Sequence, residues 1–421
     1  MIDARAATVS ALRARIAQLG GAAPPAPRVR LPEPDLTERA AQLDFHPEDG
    51  AAGTTFVRRL TVDLRPYMQA AGLSCAPPVA DLLALLGHPC VDGGPAWVSG
   101  EGVGVLDIES LGLRGSGVMA FLVALGVQRG EVLEAEQFLL VDPGGEGAML
   151  GAIAQRIRSH RLWLTYNGRS FDIPVLSARC TINRLDPTGV EPRLHGDLLG
   201  PVRRLFRERL GACTLRHAEM SLLNHHRVDD VPGFEAPGRY RAWLTGARPS
   251  VLAGVVEHNL QDIVSTVVVG ARLAAHVGGE RVSPAHAADP YHLARHLQRQ
   301  GFDDAAEAEL RSTIDAGIDP WARQAGHRLV ILLQRRGALD EALELWQRLH
   351  RDDMRDLRAA RGYAIRLERS GDLSTALEVC RTVRRTHDEL GRWWSRLRGG
   401  GEAGDAEWER REIRLKRRLH S

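Results

Sequence analysis

The sequence predicts an α/β domain built on a mixed sheet, followed by an all-α domain of helical repeats. Three observations carry this. Three β-rich runs, over 103–108, 118–128 and 132–141, follow one another across short Gly-bearing joints, which predicts hairpin-connected neighbours. Helical and strand patterns then alternate up to about residue 276, the texture of a sheet covered on both faces. Beyond Gly278-Gly279 and Pro284 the chain turns to charged, Ala/Leu/Arg-rich helix with an internal repeat.

In chain order, residues 1–100 read as an accessory segment packed on the next domain. It holds a helix over 6–19, a Pro-rich joint, an amphipathic piece over 36–43, an alternating stretch over 55–62 and a helix over 79–86. The α/β domain is expected over 101–279. After its three β runs it has a helix over 146–160, a strand over 162–166, a helix over 173–183 and a short strand over 194–198. Helices over 201–209 and 215–223, a Pro/Gly-bearing insertion over 228–249 and a long apolar helix over 251–276 complete it. In the third part, 285–398, Gly301-Phe-Asp-Asp-Ala-Ala306, Gly337-Ala-Leu-Asp-Glu-Ala342 and Gly371-Asp-Leu-Ser-Thr-Ala376 align, their glycines 36 and 34 residues apart. That period resembles tetratricopeptide helical hairpins, although an unrelated helical bundle would also fit. Residues 399–421 read as a Gly-rich joint and a charged helix.

Composition narrows the class. The chain has 421 residues and a net charge of +2, so any basic surface must be local. Cys75, Cys90, Cys180, Cys213 and Cys380 are scattered and form no CxxC pair, which predicts free thiols in a reducing cytoplasm. No stretch approaches the ~18 consecutive apolar residues of a membrane span, and no partner membrane is expected. Residues 1–19 lack the apolar core of a secretion signal.

The chemistry starts from Gly102-Val-Gly-Val-Leu-Asp-Ile-Glu-Ser110. On a strand Val103, Val105, Asp107 and Glu109 share one face. Two acids on one buried edge repel unless a cation lies between them; an exposed strand end is the bland alternative. Asp172 follows a strand at the mouth of a helix, and His258 and Asp262 sit one turn apart inside the long helix. Four converging carboxylates call for two divalent cations, Mg²⁺ or Mn²⁺, which would also stabilise the attacking and leaving oxygens of a phosphodiester.

Asp107-Ile-Glu109, Asn167-Gly-Arg-Ser-Phe-Asp172 and His258-Asn-Leu-Gln-Asp262 resemble the three motifs of the DEDD exonuclease superfamily, on a ribonuclease-H-like fold. The YprB-like ribonuclease-H-like family is the nearest likeness. It also covers His195-Gly-Asp-Leu-Leu199, Asp229-Asp-Val-Pro-Gly-Phe-Glu-Ala-Pro237 and Glu257-His-Asn-Leu-Gln-Asp-Ile-Val264. The resemblance spans about residues 100–275. It implies metal ligation by Asp107, Glu109, Asp172 and Asp262, general-base catalysis by His258, and removal of nucleotides from the 3′ end of single-stranded DNA or RNA. One departure is that the histidine branch usually sets its His five residues before the last Asp; the four-residue spacing here is that of the tyrosine branch. A helix-surface His pairing with Glu257 or Gln261 is therefore the alternative for His258.

Other residues are open between two roles. Asn167 caps the next helix or orients substrate. Asp197 is an outer-shell acid or a turn residue. Arg239, Tyr240 and Arg241, with Trp243 and Arg248, form a strand-stacking surface or pack into the domain. His195, His217, His225 and His226 match no zinc spacing. The expected protein is a metal-dependent nuclease whose repeats meet a protein partner. A catalytically weak binding scaffold, and an endonuclease or structure-selective ribonuclease on the same fold, are the alternatives.

Overall fold

The protein is represented by a computed structural model that describes residues 35–74, 102–112, 117–395 and 405–420, together with Leu82, Leu85 and Leu86. The helix expected over 6–19 lies outside the described residues. Seven strands form one mixed sheet: β1 (His46–Gly50), β2 (Gly53–Asp63), β3 (Val103–Leu111), β4 (Met119–Arg129), β5 (Val132–Leu139), β6 (Leu162–Thr165) and β7 (Leu194–Asp197). Their order is β1-β2-β5-β4-β3-β6-β7. β3, β4 and β5 are antiparallel neighbours, as the short joints predicted, and β6 and β7 run parallel to β3.

The accessory reading of the N-terminal segment needs correcting. β2 pairs antiparallel with β5 from Phe56↔Leu139 to Asp63↔Val132, so this segment extends the sheet itself. Pairing covers the edge of β5, whose row of amides and carbonyls would otherwise be open. The alternation of 55–62 marked a strand, but the partner that joins it to the rest of the sheet, β5, lies more than seventy residues away in the chain.

Each face of the sheet has its own core. Val103, Val105, Leu162 and Leu164 pack with α5 (Leu199–Leu210), α6 (Leu215–Leu222) and α8 (Ser250–Val277). Leu106, Ile108 and Trp163 face α3 (Glu146–Arg158) and α4 (Asp172–Ile182). Among the described residues α1 (Leu36–Ala41), α2 (Arg65–Ala70) and α7 (Ala236–Leu244) also precede α8, and Leu82, Leu85 and Leu86 are helical. At 28 residues α8 is long and apolar enough to cross a membrane, yet 83% of its most apolar window is buried inside the protein. A helix apolar on all sides is accounted for by burial in a core.

Helices α9 (Asp289–Arg299), α10 (Asp303–Asp315), α11 (Trp321–Arg336), α12 (Leu339–Asp352), α13 (Leu357–Ser370) and α14 (Leu373–Ser395) pack one on the next, and α15 (Asp405–His420) packs on α14. The aligned glycines Gly301, Gly337 and Gly371 have φ of 83°, 79° and 92°, where a side chain is strained and glycine ends a helix cheaply. The Gly/Pro joint at 278–284 does not end the first core. Leu293, Leu297 and Ala306 belong to it, and Arg209 on α5 meets Asp289 on α9 at 2.5 Å with both side chains under a tenth exposed.

Candidate active site

Asp107 and Glu109 continue the Val103/Val105 face of β3, the face on which α8 lies. A bulge between Glu109 and Ser110 bends the strand just past them. Asn259 on α8, fully buried, donates from Nδ2 to Asp107 Oδ2 at 2.8 Å. Behind it, buried Gln137 of β5 donates to Asn259 Oδ1 at 3.1 Å and to the carbonyl of Val256 at 2.8 Å. Asp107 is thereby tied to both the sheet and the helix.

Asp172 opens α4 and is buried, and the backbone amides of Asp172 itself and Ile108 draw its carboxyl down against the effect of burial. A Cβ on Gly168 would lie 2.7 Å from Asp172 Oδ2 and 2.5 Å from Thr165 Cβ, so the loop closes this tightly only around glycine. Asp197 ends β7 and accepts from the amides of Asn167 (2.9 Å), Arg169 (3.1 Å) and Leu199 (3.0 Å). It clamps the Asp172 loop and adds negative charge beside Asp172. Asn167 is exposed at φ 72°, and Phe171 rather than Asn167 takes the cap position of α4; the capping role is ruled out.

His258 and Asp262 come from α8. His258 Nε2 lies 3.8 Å from Glu109 Oε1 and 3.7 Å from Asp262 Oδ2. Its Nδ1 is 2.6 Å from Asp230 Oδ1, so the partner is neither Glu257 nor Gln261. Asp230 lies in the Asp229–Pro237 stretch but carried no signal as a site residue. Two further residues were missed altogether. Arg227 donates to Asp262 and, through Nε and Nη2, to the almost wholly buried Glu219, the closest contact being 2.5 Å.

Burial, and then the charges of Asp262, Asp172 and Glu109, push Asp107 far above the usual carboxylate range. Burial is also the main cause for Glu109, raised to about 8, and for Asp172, raised to about 7. Asp262 is raised by burial against the opposing pull of Arg227 and His258. For His258 burial acts downward, but Asp262, Asp230 and Glu109 outweigh it and raise the imidazole. Among the described residues no group of three or more acid, histidine or cysteine side chains is arranged to hold a metal ion. The donor chemistry nevertheless fits hard divalent cations: four carboxylates come from β3, α4 and α8, Arg227 pairs with Asp262 alone among them, His258 faces Glu109 and Asp262, and these two are partly open at 12% and 19%.

A prediction follows from these protonation states. Glu109 keeps its proton to about pH 8 when folded, against an ordinary value of 4.5, so the folded state holds extra protons between those values. Stability should then fall as pH rises across that window. In EDTA the Tm of the chain is expected to drop between pH 5.5 and 8.5, and Glu109→Gln should flatten the slope. An unchanged slope in that variant would rule out Glu109 as a source of it.

The stacking surface expected at Tyr240 is corrected. Tyr240 and Trp243 are fully buried, Tyr240 stacking on Phe121 at 4.2 Å and donating its hydroxyl to the Leu140 carbonyl at 2.5 Å. α7 has an apolar side, and burying two large aromatics stabilises it more than exposing them would. Arg239 is spent on Glu235 at 2.8 Å, while Arg241 is exposed. Tyr240→Ala should cost about 3–5 kcal/mol of stability, as large-to-small core changes do. Denaturant melts would show it, and an unshifted midpoint would contradict the packing role.

Residues 105–274 match the RNase_H superfamily. The chain is 28% identical over 255 residues to uncharacterized protein YprB of Bacillus subtilis (strain 168), covering 60% of this chain and 61% of that one. The structure of the family B DNA polymerase from the hyperthermophilic archaeon Pyrobaculum calidifontis is similar over 54% of this chain and 29% of that chain. Its identity is 18% and its TM-score 0.32, too loose a superposition to bear on function.

Proposed function

We propose, from the premise that residues 105–274 are a ribonuclease-H superfamily domain, that the chain is a metal-dependent nuclease acting on single-stranded DNA or RNA. The observation that carries this is the convergence of Asp107, Glu109, Asp172 and Asp262, whose mutual repulsion and burial hold protons on the carboxyls. These four residues would hold two divalent cations, Mg²⁺ or Mn²⁺. Bound there, such cations neutralise phosphodiester charge and activate water.

The chain's own residues supply the rest. The carboxylate of Asp230 can only accept, so its 2.6 Å contact favours a proton on His258 Nδ1 over the longer 3.2 Å approach of the Arg227 guanidinium to the same nitrogen. Nε2 faces Glu109 and Asp262, whose charges raise the imidazole; with those carboxylates holding cations, Nε2 would be placed to take a proton from attacking water. Asn259 and Gln137 hold Asp107 in position, Asp197 holds the loop of Asp172, and Arg227 holds Asp262. Asn167, exposed on that loop, is where a substrate nucleotide would be oriented. By resemblance to DEDD exonucleases the direction is 3′ to 5′. Free Cys180, Cys213 and Cys380 suit a reducing cytoplasm.

End-labelled single strands with Mn²⁺, with EDTA and with an Asp107 variant test the reading. A metal-dependent ladder shortening from the 3′ end supports it. Internal cuts in circular DNA or RNA would favour the endonuclease alternative, and absence of any metal-dependent cleavage would leave a binding scaffold.

A further inference from the structure

The helical domain carries arginines of two kinds. Those on one set are spent on carboxylates: Arg311 on Glu307 and Glu341, Arg336 on Asp304 and Glu307, Arg411 on Glu368. A second set has no carboxylate partner among the described residues: Arg295 and Arg299 on α9, Arg328 on α11 and Arg358 on α13. α9, α11 and α13 are the first helices of successive pairs, so the second set recurs along one side of the array. Arg295, Arg299 and Arg358 all bear on the half-buried Arg328, which burial first, and then this like charge against the opposing pull of Tyr291, hold below the ordinary arginine value.

The band continues toward the candidate active site. α9 packs on α5, where Arg204 feels Arg299. One residue earlier, exposed Arg203 feels Tyr166, the neighbour of Asn167 in the Asp172 loop. Buried rings lie under the same band and support it from within. The Arg295 guanidinium is 5.7 Å from the Tyr291 ring centroid, and Tyr291 and His292 lie 5.6 and 5.2 Å from half-buried Trp321. The net charge is only +2, so this is a local concentration rather than a general excess. Gathered arginines that make no ion pair are the footprint of a polyanion, even with Glu208 beside His292, and a single strand is the polyanion that the candidate active site would take.

We propose that this arginine band is the track along which the phosphate backbone of a single-stranded nucleic acid runs from the candidate active site across the helical domain. The strand's end rests on the nuclease reading above; its body rests on the band.

The test uses the full chain in EDTA, with fluorescent 30-mer and 6-mer oligonucleotides, and reads anisotropy from 50 to 300 mM KCl. For the 30-mer, the triple change Arg299→Gln, Arg328→Gln and Arg358→Gln should weaken binding at least about tenfold and reduce the slope of log K against log salt by about 2, since each lost phosphate contact on a single strand contributes about 0.7. The corresponding triple change to Lys should restore most of the slope, and Arg358→Gln alone, at an exposed position, provides a mild variant if the triple folds poorly. Mn²⁺-dependent cleavage of the 6-mer should survive in all three. Wild-type affinity and slope in the Gln variants would overturn the track, as would binding of polyglutamate without binding of the 30-mer. A steeply salt-dependent 30-mer complex in a chain that never cleaves would support the track while refuting the nuclease reading, so the two fail separately.

Discussion

Asp107→Asn is expected to abolish metal-dependent hydrolysis and leave the fold intact. Asparagine has nearly the same shape, and its amide oxygen can still accept from Asn259, whose own position is held by Gln137. What disappears is the negative charge that Asp107 can take on when a cation binds. In the metal-free protein burial and the neighbouring acids already hold a proton on Asp107, so the neutral amide is a close substitute and the Tm in EDTA should hold. A metal site stabilises phosphodiester transition states by several kcal/mol, and at 1.36 kcal/mol per decade its loss should lower single-turnover rates by roughly 10³-fold or more. Calorimetric Mn²⁺ titration should show weakened binding in the same variant. Wild-type rates at saturating Mn²⁺ would sink the assignment of Asp107.

His258→Ala should lower the chemical rate by roughly 10²–10⁴-fold, the range for a general base, with little change in the affinity for short oligonucleotides. The surrounding charges stay compensated in this variant, because Arg227 remains beside Asp230 at 3.7 Å and on Glu219 and Asp262. Folding is thus not expected to suffer. A loss well under tenfold would return His258 to a structural role. The four-residue spacing to Asp262, unusual for a histidine in the exonuclease motif, is compatible with the role on geometry. On a helix that spacing keeps both side chains on one side, and Nε2 reaches Asp262 and Glu109 at nearly equal distance.

Much of this site was legible because it depends on local periodicity. Alternation along β3 put Asp107 and Glu109 on one face, and the 3.6-residue turn put His258 over Asp262; both follow from backbone geometry within ten residues. The same holds for the hairpins of β3, β4 and β5 and for the positive-φ glycines of the helical array. Composition also separated a sheet-bearing part from a helical part.

Tertiary structure decided what local pattern leaves open. Pairing of β2 with β5 turned an apparent accessory segment into two strands of the sheet. Packing of α9 on α5 carried the first core past the Gly/Pro joint. Tyr240 and Trp243 had the sequence signature of a stacking surface, and only their contacts with Phe121 and Leu140 revealed them as core. Arg227, Glu219, Asp230 and Gln137 had no recognisable spacing because they meet their partners from between 8 and 122 residues away. The sequence by itself determined which side chains share a face of one strand or one helix, since the backbone's short period sets that. Which faces meet, and hence which cation stands beside Asp262 and which carboxylate orients His258, was decided by long-range packing.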